Sequence, residues 1–437
     1  MNKNKIRVVW LCHFSNSEVH SRLDLHHGWL LGLLKRMTHR KVSTDVPEFA
    51  IWVTNAIKEF ERFEEVELHI VSPYPNLNRN FQEYTLNGIY YHFFKNEDDD
   101  ALKQIYRRVL KPRFWKYREN RKRIAYFINK IQPDVVHLIG AENPDYSLGL
   151  LDVSHDIVTI AQLQTLLIDP DVKNNNPHFP MYQYRTEVEK RVIEHADYIG
   201  TTVSKFRTII RDCVKSDVAF LNTSLALSES VVKDKSEKKF DFVYFAAGLS
   251  KAADLALEAF GIVYKQKQDV TLDVIGGCNP SFMQQLESIV EKHDMAGAVH
   301  FEGRLPTHDD VLRQIRKSRY ALLPLRSDLV SGTIREAMSN GIPVLTTDTG
   351  KLGTQTLNAT SQCALISEIG DHQALADNMM RLLNDDELSE MLRQNAYKMR
   401  STVRSNEDIS RHYVEAYKAC LNYYNNRIPI PEELIKL

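Results

Sequence analysis

The amino-acid sequence predicts an α/β protein made of two doubly wound domains, each a parallel sheet covered by helices. Three observations carry that prediction. Short β-rich runs alternate with stretches of helical periodicity along almost the whole chain. Several of these runs are apolar on both faces, as the strands of a doubly covered parallel sheet must be. The alternation breaks once, at the polar stretch 225–239 (LALSESVVKDKSEKK), leaving two series of elements. A length of 437 residues agrees with two domains at roughly 100–200 residues each.

The first series of strands is expected at 6–13, 66–72, 134–139, 157–163, 198–203 and 217–221. The second is expected at 240–246, 270–275, 298–302, 319–325, 343–347 and 363–367. Amphipathic helices fill the intervals. In 251–264, Ala252, Leu255, Ala256, Ala259, Phe260 and Val263 fall on one helix face. A helix over 405–425 ends the second series, and 427–437 (RIPIPEELIKL) reads as an extended tail. Open α/β sheets bind ligands beyond the carboxyl ends of their strands, so two such domains facing each other place a substrate in the cleft between them.

Composition narrows the class further. Hydrophobic residues make up 43% and charged residues 26%, which excludes disordered and collagen-like chains. With 56 Lys+Arg against 57 Asp+Glu the net charge is −1, and no nucleic-acid partner is expected. The cysteines at 12, 213, 278, 363 and 420 form no CxxC pair, which fits free thiols in a reducing compartment. No run reaches the ~18–20 apolar residues of a membrane span. The start, MNKNKIRVVWLCHF, is too short and too charged for a signal peptide, so it reads as a buried first strand of a cytoplasmic protein.

The stretch 319–350 (RYALLPLRSDLVSGTIREAMSNGIPVLTTDTG) carries the chemistry. A strand ends at Leu325, and a polar loop follows with Arg326, Ser327 and Asp328. Ser331-Gly332-Thr333 opens a helix that must stop at Asn340-Gly341, before Pro343 starts the next strand. The free N–H groups and positive dipole end of that helix suit a diphosphate. Gly332 lets the backbone approach closely, and a hydroxyl of Ser331 or Thr333 adds a donor. Asp328 precedes the helix and Glu336 lies eight residues later, so one carboxylate can reach sugar hydroxyls while the other holds a ribose diol. On spacing alone such a pair arises often by chance, as a loop acid and a helix-surface Glu.

These residues resemble the Glu-x7-Glu signature of retaining glycosyltransferases with the GT-B fold, in particular group 1 (family four). Pro324, Glu336, Ala337, Met338, Gly341, Pro343, Val344 and Thr346 match that text, and Asp328 stands in place of the first Glu. The run 245–260 (FAAGLSKAADLALEAF) resembles the family segment that supplies a diphosphate-binding lysine, which the resemblance places at Lys251. The family's Arg, about five residues earlier, is Ala246 here, and Arg326 or Arg304 would have to compensate. Val274-Ile275-Gly276-Gly277 resembles a strand end that touches the donor. The run 299–305, with Arg304 and Leu305, resembles the segment near the base. In the first half Gln132 to His137 resembles the P-D-V-V-H strand. The loop His13-Phe14-Ser15-Asn16-Ser17 stands where a Gly-rich acceptor/donor loop is usual, and Gln164 stands where an active-site His is usual.

The resemblance therefore implies GT-B, two Rossmann-like domains facing a cleft. An acceptor-binding domain covers 1–224, a linker 225–238 and a nucleotide-sugar-binding domain 239–404. A helix and tail at 405–437 would cross back to the first domain. It implies transfer of a sugar from a UDP- or GDP-type nucleotide sugar to a glycan or lipid-linked acceptor, with retention. Asp328, Glu336 and Gln164 would be catalytic. Lys251, Ser331, Gly332, Thr333, Arg304, Leu305 and Gly276 would bind the donor, with Asn16 and His137 on the acceptor side or cleft. His137 has a competing place as a satisfied core histidine. No cofactor beyond the donor substrate is expected and no metal: Asp98-Asp99-Asp100 and Asp385-Asp386 sit in polar turns, and His26-His27 lack ligand spacing. A nucleotide-sugar epimerase and a non-catalytic GT-B partner subunit are the rival readings.

One segment stands apart from the neutral total. Residues 103–130 hold eleven Lys/Arg and one acid, Glu119, a charge of +10. Apolar faces at Leu102, Ile105, Tyr106 and Val109, and at Ile124, Phe127, Ile128 and Ile131, lie among the cations with Trp115 and Tyr117. Such a surface suits an anionic cytoplasmic leaflet, where each nearby cation is worth about 1 kcal/mol. A peripheral position at the inner membrane face follows as an expectation. The competing reading is a solvated helix face.

Overall fold

A computed structural model describes residues 5–25, 49–97, 117–170, 172, 181–226, 237–326, 331–350, 353–401 and 404–437. The chain divides into two compact units: Met1–Leu227 with Arg404–Leu437, and Ser228–Val403.

Unit 1 carries strands β1 (Ile6–Leu11), β2 (Val66–Tyr74), β3 (Phe81–Leu86), β4 (Ile89–Lys95), β5 (Val135–Ile139), β6 (Val158–Gln162), β7 (Tyr198–Gly200) and β8 (Ala219–Leu221). Their order across the sheet is β3-β4-β2-β1-β5-β6-β7-β8, and every pairing except β3–β4 is parallel. The hairpin β3–β4 was not expected from the sequence reading, although its turn carries a local signal. Asn87 and Gly88 have φ of 50° and 81°, the two positive values that a tight two-residue hairpin turn demands. Helices α1 (Ser17–Ser21), α2 (Ile51–Phe60), α3 (Arg118–Ile131), α4 (Tyr182–His195) and α5 (Ser204–Cys213) belong to this unit.

Unit 2 carries β9 (Phe240–Gly248), β10 (Leu272–Gly277), β11 (Val299–Gly303), β12 (Ser318–Leu322), β13 (Val344–Thr347) and β14 (Ala364–Ser367). Its sheet is wholly parallel in the order β11-β10-β9-β12-β13-β14. Helices α6 (Ala253–Gln266), α7 (Pro280–Lys292), α8 (His308–Ile315), α9 (Gly332–Ser339), α10 (His372–Asn384) and α11 (Asp386–Ser401) connect and cover it. The periodicity of α6 is largely realised: Ala252, Ala256, Ala259, Phe260 and Val263 are fully buried, whereas Leu255 is half-buried and Leu257 takes a core place instead. All six strands of this series fall within a few residues of their expected positions.

The last helix, α12 (Asn406–Asn426), starts with a capping box in which Ser405 and Asp408 exchange hydrogen bonds. It packs in unit 1. The Tyr417 hydroxyl accepts from Trp10 Nε1 at 2.9 Å and lies 2.6 Å from His137 Nδ1. Tyr413 donates to the Ser224 carbonyl at 2.7 Å. The tail beyond it is pinned too, since Asn222 N–H donates to the Leu434 carbonyl at 2.7 Å and Leu434 is buried.

The basic segment is described only in part. Residues 101–116, with Trp115, lie outside the described residues. In α3, Ile124, Phe127, Ile128 and Ile131 are buried in unit 1, so this apolar face is unavailable to a lipid surface. Among the described residues four of its cations are also engaged. Arg121 pairs with Asp152, Lys122 with Glu119 and Lys130 with Glu83, while Arg123 donates to the Lys95 carbonyl. Among the described residues no helix is long and apolar enough to cross a membrane.

Candidate active site

In unit 2 the chain runs from β9 outward to β10 and β11, then crosses back to β12 on the other side of β9. The carboxyl ends of β9 and β12 therefore flank the topological switch point, where a crevice opens in doubly wound sheets. β9 ends in a 3₁₀ turn, Leu249–Lys251, before α6 begins at Ala253. The Tyr244 hydroxyl accepts from the Ala252 N–H at 3.2 Å and fixes this turn, leaving Lys251 exposed. From the β12 side Arg326 reaches across. Its Nη1 donates to the Lys251 carbonyl at 2.7 Å, and its Nη2 pairs with the Asp254 carboxylate. Arg326 is thus committed to holding the two strand exits together.

The neighbouring exits close in on the same edge of the sheet. Gly276, at the end of β10, has φ of 139°, and a Cβ there would stand 2.2 Å from the Ala246 carbonyl oxygen. Only glycine lets these strand ends approach so closely. A Cβ on Gly277 would lie 3.3 Å from Arg304 Nε, so the Arg304 guanidinium folds over the end of β10. Among the described residues Arg304 has no carboxylate partner. Of the two arginines that the resemblance offers in place of Ala246, Arg326 is therefore the paired one. Leu305 packs, partly buried, on the unit's core.

Helix α9 presents its first turn beyond β12. Ser331 is the N-cap: its Oγ accepts from the Ile334 N–H at 3.4 Å and lies 2.8 Å from Thr333 Oγ1. Among the described residues a Cβ added to Gly332 would meet nothing within 4 Å, so they leave the space over this turn open. The helix ends at Asn340, as expected, and Arg393 Nε donates to the Gly341 carbonyl at 2.8 Å. Glu336 faces inward, 9% exposed, and its Oε1 lies 3.4 Å from His308 Nε2 at the start of α8. His308 was not expected as a site residue. It stands 28 positions earlier in sequence, and no local spacing links the two. Asp328 lies outside the described residues.

Unit 1 has its own switch point between β1 and β5, since β2 lies on the other side of β1. His13 follows β1, with its ring 4.6 Å from Phe49 and 6.3 Å from Tyr146 between centroids. Burial pushes the His13 imidazole down to about 4. Glu142, after β5, is buried and held above the usual carboxylate range by that burial. Its Oε1 accepts from Asn143 Nδ2 at 2.9 Å, and Arg185 donates to the Glu142 carbonyl and to Asn143 Oδ1. Gln164, after β6, donates to the Ile139 carbonyl at 3.3 Å and sits over Gly140, half-buried. It joins this cluster at the carboxyl ends of the strands.

Two other residues take different places. Asn16 caps α1, accepting from Val19 N–H at 2.8 Å and donating to Thr54 Oγ1 at 3.3 Å. His137 is 1% exposed within β5 and bonded to Tyr417, so its ring belongs to the core and offers no surface to an acceptor. The competing core reading of His137 is the one the structure supports.

Two Rossmann-like units, each with polar groups gathered at its switch point, define a GT-B protein. Residues 228–399 match the model of glycosyl transferases group 1. Unit 2 is thus similar to group 1 glycosyl transferases, and the chain as a whole has the GT-B fold. Sucrose-phosphate synthase from Thermosynechococcus elongatus superposes with a TM-score of 0.68 at 15% identity, covering 95% of this chain and 98% of that one. The Anabaena protein HepE, solved with UDP and glucose, gives 0.62 at 13% identity, covering 94% and 99%. An E. coli trehalose-6-phosphate structure bound with UDP-2-fluoro glucose gives 0.62 at 11% identity, also over 94% and 99%. No curated protein sequence matches the chain significantly.

Proposed function

We propose that this protein transfers a glycosyl unit from a nucleotide sugar of UDP or GDP type to a glycan or lipid-linked acceptor, with retention at the anomeric carbon. The observation that carries this reading is the switch point of unit 2. There the open first turn of α9 shares one end of the sheet with Lys251 and Arg304, and Glu336 lies one turn inside the same helix.

The diphosphate would rest on the N–H groups of Gly332 and Thr333 and on the two cations, which stabilise the charge that develops as the sugar C1–oxygen bond breaks. Glu336, braced by His308, would hold the ribose diol, and Asp328 would face the sugar hydroxyls or the developing positive charge. Helix dipole and cations do this without a metal at the diphosphate. Retention follows the family resemblance. The acceptor hydroxyl attacks the face that the diphosphate leaves, and its proton passes to the departing phosphate oxygen. Gln164, in the polar cluster of unit 1, would meet the acceptor or the transferred sugar. The UDP held by two solved relatives makes UDP-sugars the first donors to test.

One observation keeps a second reading in play. Ala246 removes a phosphate cation and Arg326 is already paired, which would suit a GT-B partner subunit that binds a donor without turning it over. A thermal-shift screen of the purified chain with UDP-, GDP- and ADP-sugars tests donor binding, since a bound donor raises the melting temperature by mass action. The anomeric configuration of the product, compared with the donor by NMR, tests retention. Donor binding with neither hydrolysis nor transfer would leave the partner subunit standing, and nucleotide release without transfer would indicate an epimerase.

A further inference from the structure

We propose that Asp273, His300 and Glu302 form a binding site for one divalent transition-metal ion of the zinc type, on the β10–β11 edge of unit 2. The three residues come from two adjacent strands, and their ligand atoms all lie within 4.8 Å of one another. Asp273 and His300 are direct register partners, so their side chains share a face of the sheet. Glu302 joins them through an irregularity. The register steps from Val274↔Phe301 to Ile275↔Gly303, leaving Glu302 as the extra residue of a bulge. A bulge re-aims the side chain it carries, and here Glu302 Oε1 comes to 3.2 Å from His300 Nε2. Ligands on a tetrahedral zinc at bonds of 2.0–2.2 Å stand about 3.3 Å apart.

The second observation is a buried oxygen without a partner. Asp273 is fully buried; its Oδ2 accepts from Gln314 Nε2 at 2.9 Å, while its Oδ1 has no hydrogen-bond partner among the described residues. A buried carboxylate oxygen left so is costly unless a cation or proton satisfies it. The same Gln314 amide donates to Glu302 Oε1 at 2.8 Å, which holds both acids at a fixed spacing. Gln314 Oε1 is in turn fixed by Lys317 Nζ at 2.7 Å. Orienters of this kind are what a metal's first ligands need. The set of one imidazole and two carboxylates selects a zinc-like ion over calcium or magnesium. Water fills the fourth position, toward the exposed side of His300. An ion here ties the edge strand β11 to β10, two residues before Arg304, and is separate from the diphosphate chemistry proposed above.

The test uses the full-length chain, stripped with a chelator, dialysed and titrated with Co²⁺ and Zn²⁺ alone. The expected result is one equivalent bound per chain, with a Co²⁺ visible spectrum of tetrahedral type that Zn²⁺ abolishes. His300→Ala and Glu302→Gln should each weaken binding at least tenfold, and Asp273→Asn likewise. The His300 side chain is largely exposed, so His300→Ala tests the site even if Asp273→Asn fails to fold. His69→Ala, in unit 1, where buried His69 Nδ1 lies 2.9 Å from His92 Nε2, should leave the titration unchanged. Absence of stoichiometric binding, undiminished affinity in His300→Ala, or loss of binding in His69→Ala would each overturn the assignment.

Discussion

His308 Nε2 lies 3.4 Å from Glu336 Oε1, joining the first residue of one helix to the fifth residue of another. Both side chains are largely withdrawn from solvent, at 13% and 11% exposure. A carboxylate so held keeps one orientation, which is what gripping a ribose diol requires. Glu336→Gln should lower kcat/KM for the nucleotide sugar by about 10–100-fold, the loss of one charge-assisted hydrogen bond. His308→Ala should mainly raise the donor KM. Steady-state kinetics on both variants separates the roles, and full activity in Glu336→Gln would remove that residue from the site.

Arg326 and Asp254 connect the exits of β12 and β9 across the switch point, with side chains 26% and 16% exposed. A pair this sheltered is worth more than a surface ion pair. Arg326→Ala should destabilise unit 2 by about 1–3 kcal/mol and weaken donor binding through the displaced Lys251 loop. A double-mutant cycle with Asp254→Ala, read by denaturant unfolding, should return a coupling of at least about 1 kcal/mol. Additive effects would contradict the bridge.

Gly276 allows a distinct test of strand approach. Gly276→Ala combines a left-handed φ of 139° with a Cβ 2.2 Å from a backbone oxygen that no side-chain rotation can relieve. A loss of at least about 2 kcal/mol is expected, together with a fall in donor affinity. Gly332→Ala, by contrast, should fold normally because its Cβ meets nothing among the described residues, and any effect should fall on donor binding.

The pH dependence of stability follows from His137. Burial pushes its imidazole down to about 3, against about 6.5 in the unfolded chain. As pH falls below 6.5 the unfolded chain takes up a proton that the native state refuses until about 3, so stability is lost across that window. Between pH 6.5 and 5 this one group costs about 2 kcal/mol. Urea unfolding at the two pH values, compared with His137→Gln, isolates it. An identical pH slope in the variant would refute the assignment.

The doubly wound fold was legible because apolar strands and amphipathic helices are local patterns. Residues 240–248 and 253–266 declare themselves within a few turns of chain. The hairpin at 81–95 carries a local signal in Asn87-Gly88 that parallel alternation obscured. Helix α9 and its cap were readable from Ser331-Gly332-Thr333 and Asn340-Gly341, since start and stop chemistry is also local. Contacts between elements were not. His308 beside Glu336, Arg326 on Asp254, and Asp273 with His300 and Glu302 join residues 27 to 72 positions apart, which only the sheet order brings together. His137 has one sequence context for both a core and a surface place, and only Tyr417, 280 residues on, separates them. The partners of the described part of the basic segment were hidden for a related reason. Charge counts take no account of the carboxylates at Asp152 and Glu83, which the fold sets opposite its cations.

Unit 2 consists of one unbroken stretch, whereas unit 1 is completed by residues 404–437. During synthesis unit 2 is therefore finished first, although it is the later half by strand order. The earlier sheet waits for Tyr413 and Tyr417 to cover Trp10 and His137. A ribosome paused before residue 404 would carry a complete second unit beside a first unit with an open apolar seam. That interval is when the nascent chain most needs a chaperone.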